Sequence, residues 1–189
     1  RKIRHDLKNK LIGIYGIEDD NELIRTKIKE IIGELEDSKK NLYTDNCILN
    51  SVLNIKYSAA QVADIKIESN IFVPKYMNID YGDMGVLFGN LLDNAIEANQ
   101  GVDRKKRWIN VSVKYEEHIL IINIKNSKIR GSRRKKKGYL NHGIGLNSVK
   151  QIVEKFNGIV EVQDFGEMYE VSAILYGICD DKDLGKSVL

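Results

Sequence analysis

The sequence predicts an α/β fold, a two-layer sandwich of a mixed β-sheet with helices on one face, preceded by a truncated α-helical hairpin. Three observations predict it. Over positions 1 to about 43 two stripes of apolar residues recur at helical spacing. From about Thr44 helical and alternating segments take turns along the chain. The last two alternating segments flank the short turn "DFGE", which makes them antiparallel neighbours.

In the first arm Ile3, Leu7, Leu11 and Ile14 step by four, four and three, one narrow stripe at helical period. "YGIEDDNE" breaks it, and Ile24, Ile28, Ile31 and Leu35 resume with steps of four, three and four, the seam of a coiled coil. The second arm has room for about 20 residues, roughly 30 Å at 1.5 Å per residue. The first has about two-thirds of that, so its helix is expected to continue upstream. Residues 1–43 are therefore read as a hairpin with a truncated first helix, and residues 44–189 as a second domain.

Within the second domain "DNCILNSVLNIKYSAAQVA" reads as a helix capped by Asp45 or Asn46. "DIKIESNIFV" is a strand closed by Pro74, the chain's single proline. "DYGDMGVLFGNLLDNAIEANQ" is a helix, and "WINVSVKY" and "HILIINIKN" alternate as strands. A basic polar loop, "SKIRGSRRKKKGYLNH", leads into the helix "GIGLNSVKQIVEKFNG", stopped by Asn157-Gly158. "IVEVQDFGEMYEVSAIL" closes the chain's core as a hairpin.

Composition narrows the classes. A length of 189 residues accommodates one medium domain with a small helical appendage. Hydrophobic residues at 42% and charged residues at 30% describe a soluble globular chain. A net charge of +3 is too mild to announce nucleic acid. The run "RGSRRKKK" has no interleaved aromatics, so it reads as a solvated loop and no nucleic-acid partner is expected. Cys47 and Cys179 show no pairing pattern, which fits a reducing compartment. No apolar run approaches the roughly 20 residues of a spanning helix, and the piece is expected to be cytosolic.

Three constellations carry chemistry. In "RKIRHDLKNK" His5 lies nearly opposite the apolar stripe and shares its face with Asn9, one turn on. A neutral imidazole is a nucleophile through one ring nitrogen when the other donates to an acceptor, and Asp6 is such an acceptor. The plain alternative is a solvated surface histidine. In "GNLLDNAIEA" Met84, Leu87, Phe88, Leu91 and Ala95 make a buried face, and Asn90 and Asn94 sit one turn apart along its margin. Asparagine is a poor mid-helix residue, and these two have no evident cap or turn role. Their carbonyl oxygens suit Mg²⁺, a hard ion that takes the rest of its shell from water and phosphate. The alternative is a hydrated helix edge. In "NHGIGLNSVK" Gly143 and Gly145 flank Ile144 where a helix begins, and bare backbone there lets phosphate oxygens reach the N–H groups of the positive helix end. An ordinary loop would look the same.

Taken in order, a histidine helix, an Asn-x-x-x-Asn helix and a Gly-x-Gly helix start resemble the sensor histidine kinases. "RHDLKN" resembles their phosphoacceptor box, "NLLDNAIEA" their N box and "HGIGLNSVKQIVEKFNG" their second glycine box. The box H-D-x-x-N is similar to that of the AgrC and ComD quorum-sensing receptors. The resemblance implies a Bergerat ATP-binding domain of the GHKL superfamily over residues 44–189, shared with gyrase and MutL, with ATP and Mg²⁺ as cofactors. It implies His5 as the phosphorylated residue, Asp6 as its base or tautomer-fixing carboxylate and Asn9 as an orienting amide. It implies Asn94 as the Mg²⁺ ligand, Asn90 as a second ligand or water-shell partner, and Gly143 and Gly145 along the phosphates beneath a lid loop. The implied partners are a response-regulator receiver domain and a second copy through the hairpin, in a four-helix bundle. Upstream membrane helices would make the whole protein a membrane receptor.

The chain departs from the family pattern twice. Most members have a D-x-G-x-G box whose Asp reads the adenine amino group, whereas this strand ends "NIKNSK", so Asn126 becomes the candidate reader. An amide accepts without a carboxylate's charge assistance. The ATPases of the superfamily place a water-activating glutamate one turn before the Mg²⁺ asparagine, and here that position is Asn90, a poor general base. Phosphoryl transfer to a supplied nucleophile is expected rather than fast hydrolysis. A degenerate ATP-binding interaction module, a GHKL-type ATPase and a serine kinase of the anti-sigma type are the competing readings.

Overall fold

The structure is a computed structural model of the chain, and it describes residues 41–130 and 144–180. The hairpin expected over residues 1–43, with His5, Asp6 and Asn9, lies outside the described residues but for its last three, and so do Gly143 and the greater part of the basic loop. The chain divides into units 1–41 and 42–189, and every element below belongs to the second.

Helix α1 spans Cys47–Val62. Of the two caps foreseen it uses Asn46, whose Oδ1 accepts from Leu49 N at 3.0 Å while Nδ2 donates to Lys75 O at 3.1 Å. Leu49, Leu53, Tyr57 and Ala60 form its buried stripe. Strand β1 (Lys66–Phe72) follows. Helix α2 (Tyr81–Asn99) starts at Asp80, whose carboxylate accepts from Gly82 N at 2.7 Å. Its buried face holds Met84, Leu87, Phe88, Leu91 and Ala95 as foreseen, together with Leu92 and Asn99. A single 3-10 turn (Arg104–Lys106) leads to β2 (Trp108–Glu116) and β3 (Ile119–Ser127). Helix α3 (Ile144–Lys155) and strands β4 (Ile159–Asp164) and β5 (Met168–Tyr176) complete the order.

The five strands make one mixed sheet in the order β1-β2-β3-β5-β4. β1 runs parallel to β2, a pairing that needs a crossover, and α2 supplies it. The remaining neighbours are antiparallel, including the β4–β5 hairpin. Alternation places Ile109, Val111 and Val113 of β2, Leu120, Ile122 and Ile124 of β3, and Val171, Ala173 and Leu175 of β5 in the core under the helices. On the opposite face Asn123 Nδ2 donates to Ser172 Oγ at 2.8 Å and Lys125 pairs with Glu170 at 3.4 Å, while Ile121, Ile159 and Tyr176 are exposed toward its other end. Each fully buried Leu, Ile or Phe contributes about 1.5–3 kcal/mol, which outweighs the weak local preferences of α2's two interior glycines, Gly85 and Gly89. Among the described residues no helix is long and apolar enough to cross a membrane.

Candidate functional site

The site is built where α2 meets the first turn of α3. Asn90 stands half-buried at the margin of α2's apolar face, and its Nδ2 donates to Val86 O at 2.9 Å. The amide therefore has a helical role that its spacing did not reveal: a bond to the carbonyl one turn back, which fixes the side chain. Because the nitrogen is used, Oδ1 is the group turned outward. It faces α3, since a Cβ added to Gly145 would lie 3.1 Å from Asn90 Oδ1 and 3.5 Å from its Cγ. Gly145 thus lets the backbone of α3's first turn come up against the Asn90 carbonyl. Asn94, also half-buried, follows one turn along α2. The neighbouring Asp93 turns away, with its carboxylate on Lys56 Nζ of α1 at 2.6 Å. Lys155 Nζ near the end of α3 meets Asp83 of α2 at 2.9 Å, so the two helices are also tied at their other ends.

Asn126 is the third sequence-derived residue in view. The parity of β3 puts it on the helix-covered face with Leu120, Ile122 and Ile124, opposite Ile109 of β2 and Tyr169 of β5. It is 2% exposed, and its Nδ2 donates to Ser127 O at 2.9 Å, which again leaves the carbonyl oxygen as acceptor. Two further buried polar residues adjoin it. Ser127 Oγ donates to Asn99 Oδ1 at 2.5 Å and accepts from Trp108 N at 3.1 Å, while Asn99 Nδ2 donates to Ala95 O at 2.9 Å and Trp108 O at 3.3 Å. Sequence reasoning passed over both. The signal was present for Asn99, an amide four residues after Ala95 on an otherwise apolar helix face.

Asn90, Asn94 and Asn126 are uncharged amides. The lowered carboxylates of the described chain lie elsewhere, each held down chiefly by a hydrogen bond from a lysine: Glu68 by Lys66, Glu116 by Lys114 and Asp164 by Lys128. Among the described residues no three His, Cys, Asp or Glu side chains converge to hold a metal. A cation here would therefore rest on neutral amide oxygens and on whatever anion came with it. That donor set suits Mg²⁺ accompanied by phosphate, and the outward Asn90 Oδ1 fits the role.

A family model described as the GHKL domain matches residues 79–175, just over half the chain. The chain belongs to the GHKL domain family. Its match runs from the start of α2 to the end of β5 and so contains Asn90, Asn94, Asn126 and Gly145. Among solved structures, the catalytic domain of the histidine kinase ThkA superposes with a TM-score of 0.55 at 14% identity, over 70% of this chain and 91% of that one. The mycobacterial sensor histidine kinase MprB gives 0.53 at 19% identity over 69% and 93%. The Acinetobacter baumannii histidine kinase AdeS gives 0.53 at 14% identity over 92% and 98%. Full-length ShkA, solved with AMPPNP, gives 0.55 at 14% identity over 71% of this chain and 30% of that one. At these identities the likeness is one of fold: this GHKL chain has the α/β architecture of histidine kinase catalytic domains. A search of curated protein sequences found no match.

Proposed function

We propose that this GHKL chain is the kinase core of a sensor histidine kinase of the AgrC and ComD type, which phosphorylates its own His5 from ATP and passes the phosphoryl group to an aspartate of a response regulator. The observation that carries the reading is the meeting of Asn90 Oδ1 with the first turn of α3 at Gly145. A triphosphate bound there has the outward Asn90 oxygen of α2 on one side and the N–H groups of α3's positive end on the other. Asn94 and Asn90 hold Mg²⁺, which neutralises charge on the phosphate oxygens when bound. Gly143 and Gly145 keep the backbone bare along the phosphates, and Asn126 accepts from the adenine amino group.

His5 supplies the nucleophile. Its unprotonated ring nitrogen forms a bond to the γ-phosphorus as the bond from that phosphorus to the bridging oxygen of ADP breaks, with the other ring nitrogen's proton held by Asp6 and Asn9 orienting the ring. Positioning and charge stabilisation supply most of the acceleration. The phosphoryl group then moves to a receiver-domain carboxylate. Residues 1–43 pair with those of a second copy, and the whole protein is a membrane receptor whose cytoplasmic end this is.

A hydrolase of the same family would need a general base one turn before Asn94. Position 90 holds an amide bonded to Val86 O, and the carboxylate of Asp93 is occupied by Lys56. These features favour transfer over hydrolysis. The test is incubation with ATP labelled at the γ position. The wild-type chain is expected to take up an acid-labile, base-stable label that His5→Ala loses while still binding ATP, and Asn94→Ala is expected to abolish Mg-ATP-dependent labelling with the fold intact. Steady release of labelled phosphate without protein label would overturn the reading.

A further inference from the structure

We infer that Ser127 and Asn99 are positioning residues for nucleotide selection: their buried hydrogen bond clasps the end of β3 to the end of α2 and fixes which way the Asn126 amide points. The inference rests on the proposed reading of Asn126. Three facts about donors and acceptors lead to it. Asn99 Nδ2 faces two backbone carbonyls, Ala95 O and Trp108 O, so its Oδ1 must be the acceptor. Ser127 Oγ therefore donates its one proton to Asn99 and has a lone pair left for Trp108 N–H, as observed. The hydroxyl, not a carbonyl of the ladder, satisfies the first N–H of β2, and the Ser127 carbonyl receives the Asn126 Nδ2.

With one N–H of Nδ2 on the Ser127 carbonyl, the Asn126 amide is held in one orientation, and its Oδ1 is the acceptor that remains. A flipped amide would set Oδ1 against the Ser127 carbonyl, two acceptors together, in a site where Asn126 is 2% exposed and water cannot compensate. A fixed acceptor favours a base edge bearing an amino group and disfavours one bearing a carbonyl at the same place. An aspartate needs no such arrangement, because both its oxygens accept. An asparagine does, and the clasp supplies it. Since α2 also carries Asn90 and Asn94, one helix would then set both the phosphate end and the base end of the site.

The test compares ATP with inosine triphosphate, which has a carbonyl oxygen where adenine has its amino group, by equilibrium binding to the 189-residue chain. The wild type is expected to prefer ATP by about tenfold, the worth of one buried hydrogen bond and its mispairing. Ser127→Ala is expected to bring the two nucleotides within about twofold, chiefly by weakening ATP, and Ser127→Thr to keep the preference. Asn99→Ala, which leaves the serine hydroxyl to Trp108 N–H, should act like Ser127→Ala and serves if that variant does not fold. A folded Ser127→Ala or Asn99→Ala chain that keeps the preference, while Asn126→Ala loses it, overturns the clasp and leaves the base reader standing. If Asn126→Ala keeps the preference, the reading of Asn126 falls and this inference with it.

Discussion

A side chain at position 145 would put its Cβ 3.1 Å from Asn90 Oδ1, closer than most real contacts of that kind, so the amide would have to give by a few tenths of an ångström. Gly145 sits in the first turn of a helix, where alanine is the better former by up to about 1 kcal/mol. The two effects have opposite signs in different measurements. Gly145→Ala is expected to leave the melting temperature of the free chain unchanged or raised, and to weaken Mg-ATP about tenfold by displacing the Asn90 carbonyl. In the Asn90→Ala background the same substitution should change Mg-ATP affinity by less than about twofold, because the displaced group is gone. Equal losses in both backgrounds would mean that Gly145 acts on the nucleotide by itself.

At the scale of elements, two glycines separate close packing from mere tolerance. Gly158, between α3 and β4, has no room for a Cβ: it would lie 2.1 Å from Ile174 O, 2.7 Å from Val153 Cγ1 and 3.0 Å from Val153 O. Backbone atoms on two elements cannot both move aside, so Gly158→Ala is expected to cost about 3 kcal/mol in urea unfolding. Gly85, inside α2, has open space at its Cβ, and Gly85→Ala should stabilise by about 0.5–1 kcal/mol through helix propensity alone. The same elements were largely legible beforehand. The 3.6-residue recurrence of Met84, Leu87, Phe88, Leu91 and Ala95 placed α2 correctly, and the alternation of "HILIINIKN" placed β3, while the burial of Asn126 on the covered face is a finding of the structure. What periodicity cannot carry is which distant groups meet. The parallel β1–β2 pairing, the Asn90 bond to Val86 and the approach of Ser127 to Asn99, 28 positions away, depend on the tertiary fold. A polar residue in an apolar stripe marks that something is bonded there without saying to what.

For the whole molecule, Tyr57 links folding to alkaline pH. Its ring lies in the core at 3% exposure, edge-on to Tyr43 with centroids 4.8 Å apart, and its hydroxyl sits beside Ser69 without hydrogen-bonding geometry to it. Burial pushes the phenol up to about 12, with Ser69 pulling back by less. An unfolded tyrosine titrates near 10. Between pH 10 and 12 the unfolded chain therefore gives up this proton while the folded chain keeps it, the unfolded state binds fewer protons, and stability falls as pH rises. The contribution is fully present below about pH 10 and amounts to about 2–3 kcal/mol lost by pH 12. Phenylalanine keeps the ring and removes the proton, and at neutral pH it also removes a buried hydroxyl that lacks a partner, a change expected to be neutral or mildly stabilising. Unfolding free energies of the wild type and Tyr57→Phe from urea titration should accordingly coincide to within about 1 kcal/mol at pH 7 and diverge in favour of the variant from pH 10 to 12. Parallel curves over that interval would mean that the phenol reaches solvent and titrates in the folded chain as it does in the unfolded one.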